Sequence, residues 1–130
     1  MSVALDGEAN LRVLRPIRVL VISRDRPFAT MARFLLDREG LDAQASTRPG
    51  DLFELVQQGV DVVVMDASGA LASTARTAAE LEALYPDVGV VVVSDETGPQ
   101  ARALPVLPKW APLEELAEAA RRAYLRLTPA

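Results

Sequence analysis

A short set of polar residues stands where apolar runs end. Ser23, Arg24 and Asp25 follow the run 17–22, and Asp66 follows 60–65. Ser94 and Asp95 follow 88–93, and Lys109 follows 104–107. If those runs are neighbouring strands, an acid, a hydroxyl and an ammonium converge at one sheet edge. Ion-pair and oxyanion chemistry is open to such a set. Much else is excluded, because the chain contains neither cysteine nor histidine. Thiolate nucleophiles, Cys/His metal sites, imidazole acid–base catalysis and a Ser-His-Asp triad all need those side chains. Ser68 has no histidine to act as its base, so a nucleophilic role for it is rejected. Only carboxylates remain as metal ligands, which restricts any metal to a hard ion such as magnesium.

The elements that must position these residues are legible from the pattern. Residues 17–22 are rich in Val and Ile, as in a strand buried on both faces. Asp25 can cap the following helix, Pro27 suits its first turn, and Phe28, Met31, Ala32, Leu35 and Leu36 recur at helical spacing up to Gly40. Residues 41–46 read as a short polar edge strand. Pro49 and Gly50 open a short amphipathic helix closed by Gly59. Residues 60–65 form a second buried strand, 72–84 an Ala-rich helix stopped by Tyr85-Pro86, and 88–93 a third buried strand. Residues 95–102 are polar and loop-like. Residues 104–107 form a short strand between prolines, and Pro112 opens a last helix to Leu127 with Leu113, Leu116, Ala120 and Tyr124 on one face.

This alternation predicts an α/β fold with a parallel sheet covered on both faces. With right-handed crossovers, the flavodoxin-like strand order 2-1-3-4-5 is expected, with sites at the carboxyl ends of the strands. The 130 residues suffice for one domain; an extension at 1–15 and a folded unit at 16–128 are expected, without an attached output domain. The net charge of −4 argues against nucleic-acid binding. The three arginines of the last helix, Arg121, Arg122 and Arg126, read as a solvated face. No run is long enough to span a membrane and no signal peptide is visible, so a cytoplasmic location is expected.

From Ile17 to Leu127 the chain resembles the receiver domain of two-component response regulators. The stretch 18–40 has the length and apolar pattern of that family's first strand and helix. Val62-Val63-Val64-Met65-Asp66 matches the strand ending in its phosphoacceptor aspartate, Val90 to Ser94 the strand ending in its hydroxyl switch, and Lys109 its phosphate-contacting lysine. The resemblance implies a CheY-like phosphorylation switch in two-component signalling. Asp66 would accept a phosphoryl group from a histidine kinase. Two acids after the first strand would hold magnesium with it, and Ser94 and Lys109 would contact the phosphoryl oxygens.

The departures from that pattern give the expectation its content. The acidic pair is replaced by Ser23 and Arg24, and Asp25 comes one residue late, as a helix cap. Magnesium is therefore not expected as a cofactor. Its loss would remove roughly three orders of magnitude or more in phosphoryl-transfer rate. The loop 67–71 lacks the family's proline, the aromatic switch position is Val106, and Trp110 replaces a proline whose bond is cis in the family. The segment between Ser94 and Lys109 is short, with Gly98 and Pro99 in it, so the fourth helix is expected to be shortened or missing. Trp110 reads equally as a cap on the core or as an anchor for a partner.

The expected function is thus a degenerate receiver, or pseudo-receiver, that signals by protein–protein contact and has no enzymatic turnover. Arg24 is expected to lie against Asp66 in the metal's place, lowering its pKa together with Lys109. Thinned cover over the last strand is expected to expose a partner-binding or homodimer surface at Leu104, Val106 and Trp110. Two alternatives stay open: a working phosphoacceptor at Asp66, and a flavodoxin-like small-ligand binder.

Overall fold

The computed structural model describes residues 15–96 and 106–127. Five strands, β1 (Arg18–Ile22), β2 (Asp42–Ser46), β3 (Val62–Asp66), β4 (Gly89–Ser94) and β5 (Val106–Pro108), form one parallel sheet in the order β2-β1-β3-β4-β5. The helices are α1 (Arg26–Arg38), α2 (Leu52–Gln57), α3 (Leu71–Leu84) and α4 (Leu113–Leu127), with a 3-10 turn at Pro49–Asp51 leading into α2. This is the predicted fold class and strand order. The expected loss of the helix between β4 and β5 falls on residues 97–105, outside the described residues, as do Leu104 and the extension 1–14.

Local chemistry explains the elements. Val19 to Ile22 and Val62 to Met65 are buried throughout, as central strands flanked by helices on both faces must be. The Asp25 carboxylate accepts the Phe28 N–H and starts α1, with Pro27 in its first turn. β2 lies at one edge and tolerates its polar residues there. The last strand is described at Val106–Pro108, one residue past the end expected for 104–107, and residues 104 and 105 lie outside the described residues. Pro108 can occupy it because β5 is the other edge and needs no second ladder of N–H donors.

Two apolar layers sandwich the sheet. One lies under α1 and α4 and contains Phe28, Leu36, Val64, Val93, Leu116, Ala117 and Ala120. The other lies under α2 and α3 and contains Leu20, Leu52, Val56, Met65, Ala78 and Leu81. On α4 the inward side includes Ala117 and Ala123, which the predicted stripe omitted.

Candidate functional site

The carboxyl ends of β1 and β3 are neighbours, with Ile22 opposite Met65, so Ser23 and Asp66 emerge side by side. β4 sets Asp66 opposite Val93, and β5 sets Ser94 opposite Pro108, which delivers Lys109 to the same edge.

Asp66 has partners on both carboxylate oxygens. Its Oδ2 accepts the Ser23 hydroxyl at 2.6 Å and stands 2.9 Å from Lys109 Nζ. Its Oδ1 accepts the Ser68 hydroxyl at 2.6 Å and the Ser68 N–H at 3.0 Å, in a turn completed by Gly69 at φ +77°. The Asp66 and Lys109 side chains are only 5% and 4% exposed. Lys109 Nζ also donates to Asp25 Oδ2 at 2.9 Å, so one ammonium joins two carboxylates. The Ser23 oxygen in turn accepts the Asp25 N–H at 3.1 Å. Phe28 and Trp110 flank the ammonium, with ring centroids 5.2 and 5.5 Å from Nζ. The two rings meet edge-to-face at 5.6 Å and 87°.

The electrostatics follow from these contacts. Burial disfavours the Asp66 carboxylate, but hydrogen bonds from Ser23, Ser68 and Lys109 outweigh it and hold the pKa below the usual carboxylate value. Burial likewise disfavours the Lys109 ammonium, and its bonds to Asp25 and Asp66 outweigh it and raise the pKa. Asp25 is lowered by its bond to Lys109 and by the Phe28 N–H.

Arg24 does not take the place expected of it. It is exposed, and it makes no hydrogen bond or ion pair among the described residues. The cation against Asp66 is Lys109. The buried Ser23 hydroxyl and Lys109 Nζ take the positions on Asp66 Oδ2, and Arg24, in the bend after β1, lines the neighbouring cavity without bonding Asp66. Ser94 is buried, and its hydroxyl accepts the Glu96 N–H at 3.0 Å. Trp110 follows Lys109 through a trans bond, since no cis peptide occurs among the described residues, and it is 59% exposed. Sequence reasoning missed the direct role of Ser68 on Asp66 and the second oxygen of Asp25. The Asp66-x-Ser68 spacing, which favours a side-chain turn, was the available signal for the first.

A magnesium ion does not fit these residues. It requires several oxygen ligands in octahedral array. No group of three or more acidic side chains converges among the described residues. The two carboxylates present face a buried ammonium, and a hydroxyl stands at position 23. Among the described residues, no helix is long and apolar enough to cross a membrane.

No protein-family model and no curated protein sequence matches the chain. Solved structures do. A response regulator from Thermotoga maritima superposes with a TM-score of 0.76 at 15% identity, covering 85% of this chain and 99% of that one. An orphan response regulator of H. pylori gives 0.67 at 18% identity, covering 83% and 96%. An atypical orphan response regulator, described as having a phosphorylation-independent regulatory mechanism, gives 0.68 at 18% identity, covering 84% and 96%. The chain thus has the fold of a response-regulator receiver domain, with a lysine-centred ion-pair cluster at the carboxyl edge of its sheet.

Proposed function

We propose that the chain is a receiver-fold signalling module that acts through protein–protein contact, without magnesium-dependent phosphorylation at Asp66. The observation that carries this reading is the engagement of both Asp66 oxygens by Ser23, Ser68 and Lys109, with the Asp66 and Lys109 side chains both nearly inaccessible. Attack on a phosphoanion needs a free carboxylate oxygen and a positive charge that can follow the transferred group. Here both oxygens are engaged, and the ammonium is shared with Asp25. The atypical orphan relative, described as phosphorylation-independent, supports the same direction. The partner surface we assign is β5 with Trp110, where a large aromatic ring stands exposed beside the cluster; a homodimer through this surface is its simplest form.

A second reading, a phosphoacceptor served by a histidine kinase, is favoured by one contact, the 2.9 Å approach of Lys109 to Asp66. Incubation with acetyl phosphate and magnesium, followed by intact-mass measurement, separates the two. The unmodified mass is expected at all times. A phosphoryl adduct that disappears in Asp66→Ala would establish the second reading instead. Light scattering of the wild type and Trp110→Ala tests the homodimer.

A further inference from the structure

A cavity of about 410 Å³ opens beside Asp66, between α2 and α3. Its size falls within the range of small-molecule sites, roughly 300–1,000 Å³. The cause is the composition of α3. Its first turns present Ser73, Thr74 and Thr77 to the cavity, and only Ala78 and Leu81 of the helix are buried. The short side chains leave the carboxyl half of this face unfilled. Ile22, Leu52 and Met65 give the cavity an apolar floor.

The bonding capacity left over in the cavity defines a ligand. Asp25, Asp66 and Lys109 satisfy one another. Ser73 donates to the carbonyl of Ala70, the residue that caps α3, and Thr77 to that of Ser73. Arg24 and Thr74 also line the cavity, and neither side chain has a hydrogen bond or ion pair among the described residues. A guanidinium and a hydroxyl beside an apolar floor suit an anionic group carried on an apolar body. The lining holds two positive and two negative side chains, Arg24 and Lys109 against Asp25 and Asp66. With all four the lining is neutral, and Arg24 is its one cation without a bonded partner among the described residues; it can hold one carboxylate, whereas a dianion would bring a second negative charge beside two carboxylates with no further free cation.

We infer that this cavity binds a small amphipathic monoanion, with its carboxylate on Arg24 and its apolar body over Ile22, Leu52 and Met65. Asp66 lines the cavity, so the inference concerns the unmodified chain; titrating that chain keeps its failure distinguishable from the outcome of the acetyl phosphate experiment.

The test is a titration of the full chain with phenylacetate, phenylacetamide and inorganic phosphate, read by amide chemical shifts. Phenylacetate is expected to saturate with an affinity of about millimolar, appropriate to a ligand of about ten heavy atoms. Loss of the charge in phenylacetamide should weaken binding about tenfold, the worth of one charge-assisted hydrogen bond. Arg24→Gln should weaken phenylacetate by the same factor and leave phenylacetamide unchanged. Thr77→Leu should abolish both by filling the cavity; should that variant not fold, Thr74→Leu serves the same purpose. The inference is overturned if phenylacetate gives no saturable shift, if Arg24→Gln binds it as the wild type does, or if phosphate binds as tightly.

Discussion

The two faces of the sheet are filled to different standards. Under α1 and α4, small and large side chains interlock: Phe28 and Leu36 meet Ala117, Ala120 and Ala123, all nearly inaccessible. Helix α4 comes so close that a Cβ added to Gly89 would lie 2.9 Å from the Ala123 carbonyl oxygen. Under α2 and α3 the helices are shorter or faced with hydroxyls, and a cavity remains. Close packing stabilises one conformation; unfilled space beside polar groups leaves room for a ligand. The first face therefore holds the fold, and the second, with the Asp66 edge above it, carries whatever chemistry the molecule has.

The largest contrast should come from truncation. Phe28→Ala removes a ring that fills the tight face and borders Lys109, and should cost about 3–5 kcal/mol. Leu52→Ala, at the floor of the cavity, should cost about 2 kcal/mol, the low end for such changes, because its neighbours already lack contacts on one side. Urea denaturation of both variants measures the difference, and equal losses would erase the distinction between the faces. Next in size is Lys109→Met, which leaves two carboxylates without their shared cation; about 3 kcal/mol is expected at neutral pH. The Asp66 pKa should then rise, so the variant should recover part of the loss on mild acidification.

The strand order was legible in advance because Val-rich runs, helix caps and glycine stops all indicated alternating strands and helices. The approach of Lys109 to Asp66 followed from that topology alone. The partner of Asp66 at the end of β1 did not. Residues 23 and 24 offered a serine and an arginine, and charge favoured the arginine. The smaller serine is the one that is buried, and its hydroxyl rather than the guanidinium bonds Asp66. Asp25 was misjudged for a different reason. A capping carboxylate uses one oxygen, and where the other points depends on a residue 84 positions away in sequence. Such a pairing is invisible until the sheet is assembled.

The pH dependence of the wild type should report the cluster itself. Asp66 has a folded pKa below its ordinary value of 3.8. Its stabilising contribution is present above that value and is lost as pH falls through the lowered folded pKa. Lys109 has the opposite sign. Its folded pKa lies above the ordinary 10.5, so its contribution is present below that value and is lost as pH rises through the raised one. Stability should therefore be flat through neutrality and fall in strong acid and strong alkali. In Lys109→Met the alkaline fall assigned to this residue should vanish, which a series of thermal melts from acid to alkali would show.

The smallest effect gives the sharpest comparison, because the same kind of enlargement is made on each face. Ala120 on α4 is fully buried against the sheet. Ala120→Leu must push α4 outward or force strained rotamers, at about 1–3 kcal/mol. Thr77 on α3 borders open space. Thr77→Leu loses a hydroxyl bond to the Ser73 carbonyl, but that bond competes with the helix's own and contributes little. Leucine is also the better helix former by a few tenths of a kcal/mol, roughly, and its side chain gains contacts with the cavity floor. The net change should lie between zero and a gain of about 1 kcal/mol. A Thr77→Leu protein as destabilised as Ala120→Leu would mean that the cavity closes in solution. A stabilised Thr77→Leu that no longer takes up phenylacetate would join the packing difference to the ligand site, since filling the same space would raise stability and remove binding together.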